Sequence, residues 1–328
     1  MNTPIKTEPV FKQYIWGGST LKDKFGKNIP DNFAAESWEI SCYEDGLSLV
    51  KEGEHKGKTL KEVIYADKEN MLGCKADDTF PLLVKILDAN NTLSVQVHPD
   101  DAYANINENG SLGKTEMWYV IDAKPGAKLV YGFKDNTTKE MFEKAIEDEN
   151  LEPLLNYVDV KKGDAFYIPA KTLHAIGAGI LIAEIQQSSN TTYRVYDFNR
   201  VDAEGNKRPL HTQKALDVTS LENVEGKEKI NVTYKKDGDS LSGVLVNTEL
   251  FSVVRYENNG TVKITPPEKR FEMLVFTEGA GKIICDGSQV DVVAGDSVFM
   301  PASIGAYTVE GKCEFLRSYV PNKNELAQ

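Results

Sequence analysis

KKGDAFYIPAKTLHAIGAG, residues 161–179, recurs as VAGDSVFMPASIGAYTVEG at 293–311. Gly163, Asp164 and Pro169 align with Gly295, Asp296 and Pro301. Upstream, KTEMWYVIDA at 114–123 matches RFEMLVFTEG at 270–279 and pairs Glu116 with Glu272. In each copy a Gly-Asp turn leads into a short apolar strand that ends at a proline. A chain that holds one β unit twice is expected to fold as two copies of it.

The copies differ where chemistry would sit. His174 aligns with Ala306, and the second copy contains no histidine. Only the first copy also has LSVQVHPDDAYANINENGSLGKTE, residues 93–116. There Leu93, Val95 and Val97 alternate with Ser94, Gln96 and His98. That period of two reads as a strand with Gln96 and His98 on one face. A Pro-Asp turn and a polar loop then lead to Glu116, which opens the next apolar run. A lone histidine in a strand is usually just hydrogen-bonded. Here, however, the second copy is expected to fold without histidines, so Gln96, His98, Glu116 and His174 read as a metal site rather than as fold determinants.

Bulk properties set the frame. The 328 residues suffice for two domains. Hydrophobic residues are 41% and charged residues 27%, as in soluble globular proteins. A net charge of −12 argues against nucleic acid or an anionic membrane as partner. A small anionic substrate would need a locally basic site. Cys42, Cys74, Cys285 and Cys313 stand far apart and form no CxxC pair, which reads as reduced, structural thiols. The N-terminal MNTPIKTEPVFKQYIWGG lacks an apolar core of signal-peptide length, and no run approaches the ~18 apolar residues of a membrane helix. A cytoplasmic protein is expected.

Along the chain, AAESWEISCY alternates as a strand, with Glu36 and Glu39 read as solvated carboxylates. A helix is expected over Lys58–Leu72, capped by Thr59 with Glu62 three residues on. PLLVKILDA reads as a compact buried strand, and ILIAEIQQ as strongly apolar. Over Asn136–Tyr157 the period changes to a helical one, an insertion among strands. Arg194 sits in a run of β formers. His55 reads as a surface loop residue, and His211 as a helix-start residue near the site's rim. Residues 222–240 are charged and Gly/Asp-rich, so the expected division is 1–225, a metal-binding domain, and 226–328, a second domain without ligands.

The glycine-then-proline spacing with a histidine on the next strand, and Gln-x-His followed by a distant Glu, resemble the two cupin motifs. Cupins are jelly-roll β-barrels. QVHPDD, KTEMWYV, IPAKTLHAIG and TTYRVYDF together resemble the type I mannose-6-phosphate isomerases in their short bacterial form. The likeness covers nearly the whole chain, including YIWGG and ESWEIS. It implies a mainly β fold of two cupin-like jelly-roll barrels with a small helical insertion. It implies one Zn²⁺ per chain on Gln96, His98, Glu116 and His174, with Arg194 of YRVYDF and Lys114 of the KxE element as catalytic residues. The implied reaction interconverts mannose 6-phosphate and fructose 6-phosphate through a cis-enediol.

Two imidazoles, a carboxylate and an amide oxygen suit zinc with positions left open, though Fe, Mn or Co would also fit such donors. The base that moves the proton is not identified by sequence. A zinc-bound hydroxide, a carboxylate such as Asp197, or a group behind the ligands would each serve. For Asp197 a salt-bridged or strand-end role is the preferred reading. Other functions compatible with a cupin are a metal dioxygenase and a non-catalytic sugar-binding protein.

Overall fold

The computed structural model describes residues 3–73, 79–201, 205–224, 226, 228–267, 269–322 and 325–326. Cys74 lies outside them; Cys42, Cys285 and Cys313 are buried thiols outside any disulfide. The molecule is mainly β, as expected.

The first β unit holds two antiparallel sheets. The six-stranded one runs, edge to edge, Ala165–Ile168, Glu116–Ala123, Ile180–Gln187, Leu82–Ala89, Glu36–Ile40, Val10–Lys12. The five-stranded one runs Tyr193–Tyr196, Val95–Val97, His174–Ile176, Lys128–Phe133, Leu155–Asp159. Alternation decides what lies between them. Leu87, Trp118, Val120 and Ile182 from the first sheet pack with Leu129, Tyr131 and Ile176 from the second in one buried cluster. The far side of the five-stranded sheet is covered by the helices Lys139–Glu147 and Thr212–Val218, through Phe142, Ala145, Ala215 and Val218.

The second unit is one nine-stranded sheet built on three long strands, Ser252–Ile264, Glu272–Cys285 and Tyr307–Tyr319. They enclose a core of their own around Leu274, Phe276, Val309 and Phe315. Strand pairing supports the repeat residue by residue. Glu116 lies opposite Ile168 in the first unit, and Glu272 opposite Met300 in the second. The N-terminal strand Ile5–Glu8 pairs with Ser297–Met300 and so joins the second sheet.

A third core lies between the units. Met117, Tyr119, Ile121, Ala183 and Ile185, on the outer face of the six-stranded sheet, pack against Phe251, Phe271, Met273, Val275 and Phe299. Each such fully buried side chain contributes roughly 1.5–3 kcal/mol. This contact therefore has the character of a domain core, and it leaves only the inner face of the six-stranded sheet to line a site. Polar groups cross it too: Tyr119 donates to Glu314 at 2.9 Å, and Arg255 Nε lies 2.9 Å from both.

Local elements differ from expectation in four places. The Lys58–Leu72 helix carries the expected capping box, with Glu62 N donating to Thr59 Oγ1 at 3.1 Å and Thr59 N to Glu62 Oε2 at 2.8 Å. It breaks at Asp67 (φ −147°, ψ 61°) into Leu60–Ala66 and Lys68–Leu72. The polar loop after His98 contains the helix Asp101–Asn107, whose cap is the Asp100 carboxylate accepting from Tyr103 N. Only Ala104 in it is buried, so it carries almost no apolar periodicity. In the helical insertion, the second stripe becomes one 3-10 turn, Glu152–Leu154, followed by a strand. Glu39 is not solvated: it is fully buried between Lys27 at 2.8 Å, Ser37 and Ser297. His55 lies in its loop as expected, half-buried there.

Candidate metal centre and sugar-phosphate pocket

The ligand set converges between the two sheets of the first unit. Val95–Val97 is flanked by His174–Ile176 and Tyr193–Tyr196, and Gln96 lies opposite His174 on one side and Arg194 on the other. Directly opposed residues share a face, so these three stand in a row. His98 follows one residue beyond that strand, and Glu116 comes from the facing sheet. Nε2 of His98 is 3.6 Å from Glu116 Oε2, and Nε2 of His174 is 3.3 Å from Glu116 Oε1. Donor atoms of the three residues all lie within 4.8 Å of one another.

Hydrogen bonds behind the imidazoles aim them. Nδ1 of His98 faces the Thr191 carbonyl at 2.9 Å, and Nδ1 of His174 faces the Thr172 carbonyl at 2.8 Å. A carbonyl only accepts, so each Nδ1 carries the proton and each Nε2 lone pair points into the cluster. The Gln96 amide lies 3.3 Å from His174 Nε2, where its oxygen is available to a cation once the amide is turned over. Burial pushes both imidazoles down, His174 to about 4 and His98 well below its usual value, helped by the nearby Lys114. Both are neutral donors at pH 7. Glu116 is fully buried, and its Oε1 accepts no hydrogen bond. Burial and the neighbouring Glu184 carboxylate push its pKa up. The ammonium of Lys114 reaches in, 2.7 Å from Glu116 Oε2 and 3.0 Å from His98 Nε2. An orphaned carboxylate oxygen, two aimed lone pairs and an ammonium drawn among them are what a cation site presents. The residues fit a bound metal ion.

Gln96 and Lys114 also line a cavity of about 340 Å³ whose wall includes Lys85, Glu184, Arg194 and Arg208. Lys85 and Glu184 are functional candidates that the sequence reading passed over. They lie opposite each other on adjacent strands of the six-stranded sheet, with Trp118 opposite Glu184 and Trp38 opposite Lys85. Trp118 donates to Glu184 Oε2 at 3.1 Å, while Oε1 accepts no hydrogen bond and lies 3.4 Å from Lys85 Nζ. Burial pushes Glu184 up, but Lys114, Lys85 and the Trp118 N–H outweigh it and hold the carboxyl below its ordinary value. Burial likewise pushes Lys85 down, and Glu36, Glu184 and Glu116 more than reverse that. The signal was a charge in the middle of each apolar run, Lys85 in PLLVKILDA, which also carries Asp88, and Glu184 in ILIAEIQQ. Glu36, expected to be solvated, accepts from Trp38 Nε1 at 2.6 Å and lies 3.4 Å from Lys85.

At the other end Arg194 Nη1 donates to the Pro209 carbonyl at 2.8 Å, and its backbone N–H donates to His211 Nδ1 at 3.0 Å. His211 thus stands at the start of Thr212–Val218, beside the rim as expected. Burial, then Arg208, hold Arg194 below its ordinary pKa. Asp197 is the salt-bridged residue rather than a free base: Arg208 holds it through two hydrogen bonds of 2.7 and 2.6 Å, and Arg200 pairs with it as well.

A family model for the type I phosphomannose isomerase catalytic domain matches residues 5–153, and one for the mannose-6-phosphate isomerase cupin domain matches residues 242–320. A probable mannose-6-phosphate isomerase of Bacillus subtilis is 43% identical over 320 residues, covering 97% of this chain and 100% of that protein. The chain belongs to the type I phosphomannose isomerase family. A mannose-6-phosphate isomerase of Streptococcus mutans is 42% identical over 325 residues, 97% of this chain and 99% of that one. The crystal structure of the mannose 6-phosphate isomerase from Bacillus subtilis superposes with a TM-score of 0.89 at 38% identity, covering 96% of this chain and 99% of that chain.

The second β unit shows the matching buried acid paired within the protein. Glu272, the counterpart of Glu116, accepts from Arg317 Nε at 2.8 Å, Arg270 Nη2 at 2.9 Å and the Tyr307 hydroxyl at 2.7 Å. Arg270 stands where Lys114 stands. Arg317 lies opposite Leu274 as Glu184 lies opposite Trp118. A carboxylate in the first unit has become an arginine in the second, so the buried acid is fully paired within the protein. Among the described residues only His98, Glu116 and His174 form a group able to hold a metal.

Proposed function

We propose that the chain is a zinc-dependent aldose–ketose isomerase that interconverts mannose 6-phosphate and fructose 6-phosphate. The observation that carries this reading is the convergence of His98, Glu116 and His174, with Gln96, at the inner end of a cavity walled by lysine and arginine. Full-length similarity to mannose-6-phosphate isomerases supports the substrate. Zinc suits the nitrogen and oxygen donors, and bound there it would polarise the substrate's oxygens at C1 and C2 as a Lewis acid.

The protein's own groups do the rest. A proton must move between C1 and C2 through a cis-enediol, which calls for a base at the cavity wall. Glu184 is ionised, and its Oε1 is free of hydrogen bonds, so we assign it that task, with Lys85 stabilising its charged form. Lys114 donates to the substrate oxygen on which negative charge develops. Arg194, next to Gln96 on the adjacent strand, supplies a second positive charge to the same intermediate. Buried thiols outside any disulfide at Cys42, Cys285 and Cys313 suit the cytoplasm, and no helix among the described residues is long and apolar enough to cross a membrane.

Metal analysis combined with a mannose 6-phosphate assay tests the reading. One zinc per chain, activity lost with chelator and restored by zinc, and equal rates with and without oxygen are expected; oxygen dependence would indicate a dioxygenase instead. His98→Ala should lose both metal and activity. Isomerisation that survives His98→Ala in metal-stripped protein would overturn the proposal.

A further inference from the structure

We infer that Arg208, braced from behind by Asp197, is the residue that reads the phosphate of the substrate. This rests on the isomerase reading and names a specificity residue for it. In Arg208 the Nε and Nη2 atoms are spent on Asp197, at 2.7 and 2.6 Å. No described residue accepts from its Nη1, and the side chain lines the cavity. One edge of the guanidinium is thus locked against a carboxylate, and the opposite edge is left for a ligand. Fork geometry of this kind matches phosphate oxygens. Asp197 is itself anchored: Arg200 pairs with it and also reaches the Thr92 carbonyl. A preorganised arginine spends little side-chain entropy when it binds.

Charge and distance place the phosphate at this end. The protein as a whole carries −12, which repels anions. Among the described residues at this rim, Arg194 and Arg208 line the cavity and Arg200 stands beside them, with Asp197 the carboxylate they share, which leaves this end locally positive. Arg194 shares the wall, with its Nη1 committed to the Pro209 carbonyl and its buried Nε without a hydrogen-bond partner, so it offers a single donor to the intermediate beside Gln96 rather than the open fork that a phosphate calls for. His174, Gln96 and Arg194 sit on three successive strands, so at roughly 4.8 Å per strand Arg194, with Arg208 beside it, stands about 10 Å from His174 and one strand from Gln96. An open-chain hexose with its first two carbons at the metal spans that gap and delivers its terminal phosphate to this rim.

The test uses the full-length, metal-loaded protein and the variants Arg208→Gln and Arg208→Lys. Steady-state kinetics with mannose 6-phosphate, calorimetric titration with inorganic phosphate, metal content and thermal melting are measured for each. Arg208→Gln should raise KM by about tenfold to a hundredfold, the size of a lost charge-assisted bidentate contact. Phosphate binding should weaken by a similar factor, kcat should fall less than KM rises, and metal content should stay at one per chain. Arg208→Lys keeps the charge without the fork and should fall between. Unchanged KM and phosphate affinity in either folded variant would overturn the assignment, as would a fall in kcat alone. If Arg208→Gln does not fold, Arg208→Lys decides. If the wild type does not isomerise mannose 6-phosphate, the activity reading fails, and the phosphate titrations still decide the role of Arg208.

Discussion

Replacing Lys114 by methionine separates an ammonium that merely fills a hole from one that stands among metal donors. Lys114 is 4% exposed, and its Nζ lies 2.7 Å from Glu116 Oε2. At that distance the gross attraction is about 6 kcal/mol with an effective dielectric constant near 20. Removing one partner of a buried pair costs about 3–5 kcal/mol, chiefly because the other charge stays buried alone. Glu116 limits the damage by taking up a proton, since burial and Glu184 already hold its pKa high. A carboxyl whose folded pKa is raised binds protons more tightly folded than unfolded, so its penalty is small at low pH and grows as pH rises. The metal-free variant should therefore lose about 3 kcal/mol at pH 8 and less at pH 6. Over 328 residues, with an unfolding entropy of roughly 2 cal/mol/K per residue, that is a drop of about 4 °C in Tm. Zinc at a hundredfold excess over its Kd adds about 2.7 kcal/mol and should recover most of the loss. The loaded variant should still lose on the order of 10²–10⁴ in kcat, because the proton donor to the intermediate is gone. Differential scanning fluorimetry at pH 6 and 8, with chelator and with zinc, reads the stability half. A metal-free variant melting within about 1 °C of wild type at pH 8, or no recovery on adding zinc, would refute the description of this cluster as a cation site.

Other outcomes follow from the same residues. In the metal-free wild type, His98 and His174 resist protonation in the folded state, His174 until about pH 4, whereas Glu116 holds its proton. His174 and Glu116 then oppose each other, and His98 leaves stability falling as pH drops below 6.5, at up to about 1.4 kcal/mol per pH unit; urea titrations at pH 7 and 5 check this, and a rise in stability would contradict it. In the second unit Arg317→Met leaves the fully buried Glu272 with Arg270 and Tyr307 only. It should cost about 3–5 kcal/mol, with much of this recovered in the double variant with Glu272→Gln and with metal content unchanged.

Much of the site could be read before any fold existed. The repeat marked which residues the β unit does not need, and Gln96, His98, Glu116 and His174 are the ones left over. Lys85 and Glu184 escaped because each is a charge in the middle of an apolar strand, and the face it presents depends on which sheet covers it. The salt-bridged role of Asp197 was legible but its partners were not: Arg200 and Arg208 lie three and eleven residues on, in a loop whose course carries no periodicity. The Asp101–Asn107 helix was lost for lack of an apolar stripe, its signal being one capping aspartate.

By itself, then, the sequence determined the β character of the chain, its duplication and the three residues, His98, Glu116 and His174, of the group that could hold a metal, because strand period and turn chemistry are local properties. Tertiary structure alone decided how two buried acids at matching strand positions end up in opposite states. Glu272 meets two arginines and a tyrosine hydroxyl, and is neutralised within the protein. Glu116 meets two aimed imidazoles, a lysine and a second carboxylate, and is left with an oxygen that no protein donor satisfies. The difference is made by cross-strand neighbours far apart in the chain, Glu184 in one unit and Arg317 in the other. Low dielectric between the sheets turns that single exchange of charge into the difference between a structural salt bridge and a site that calls for a metal.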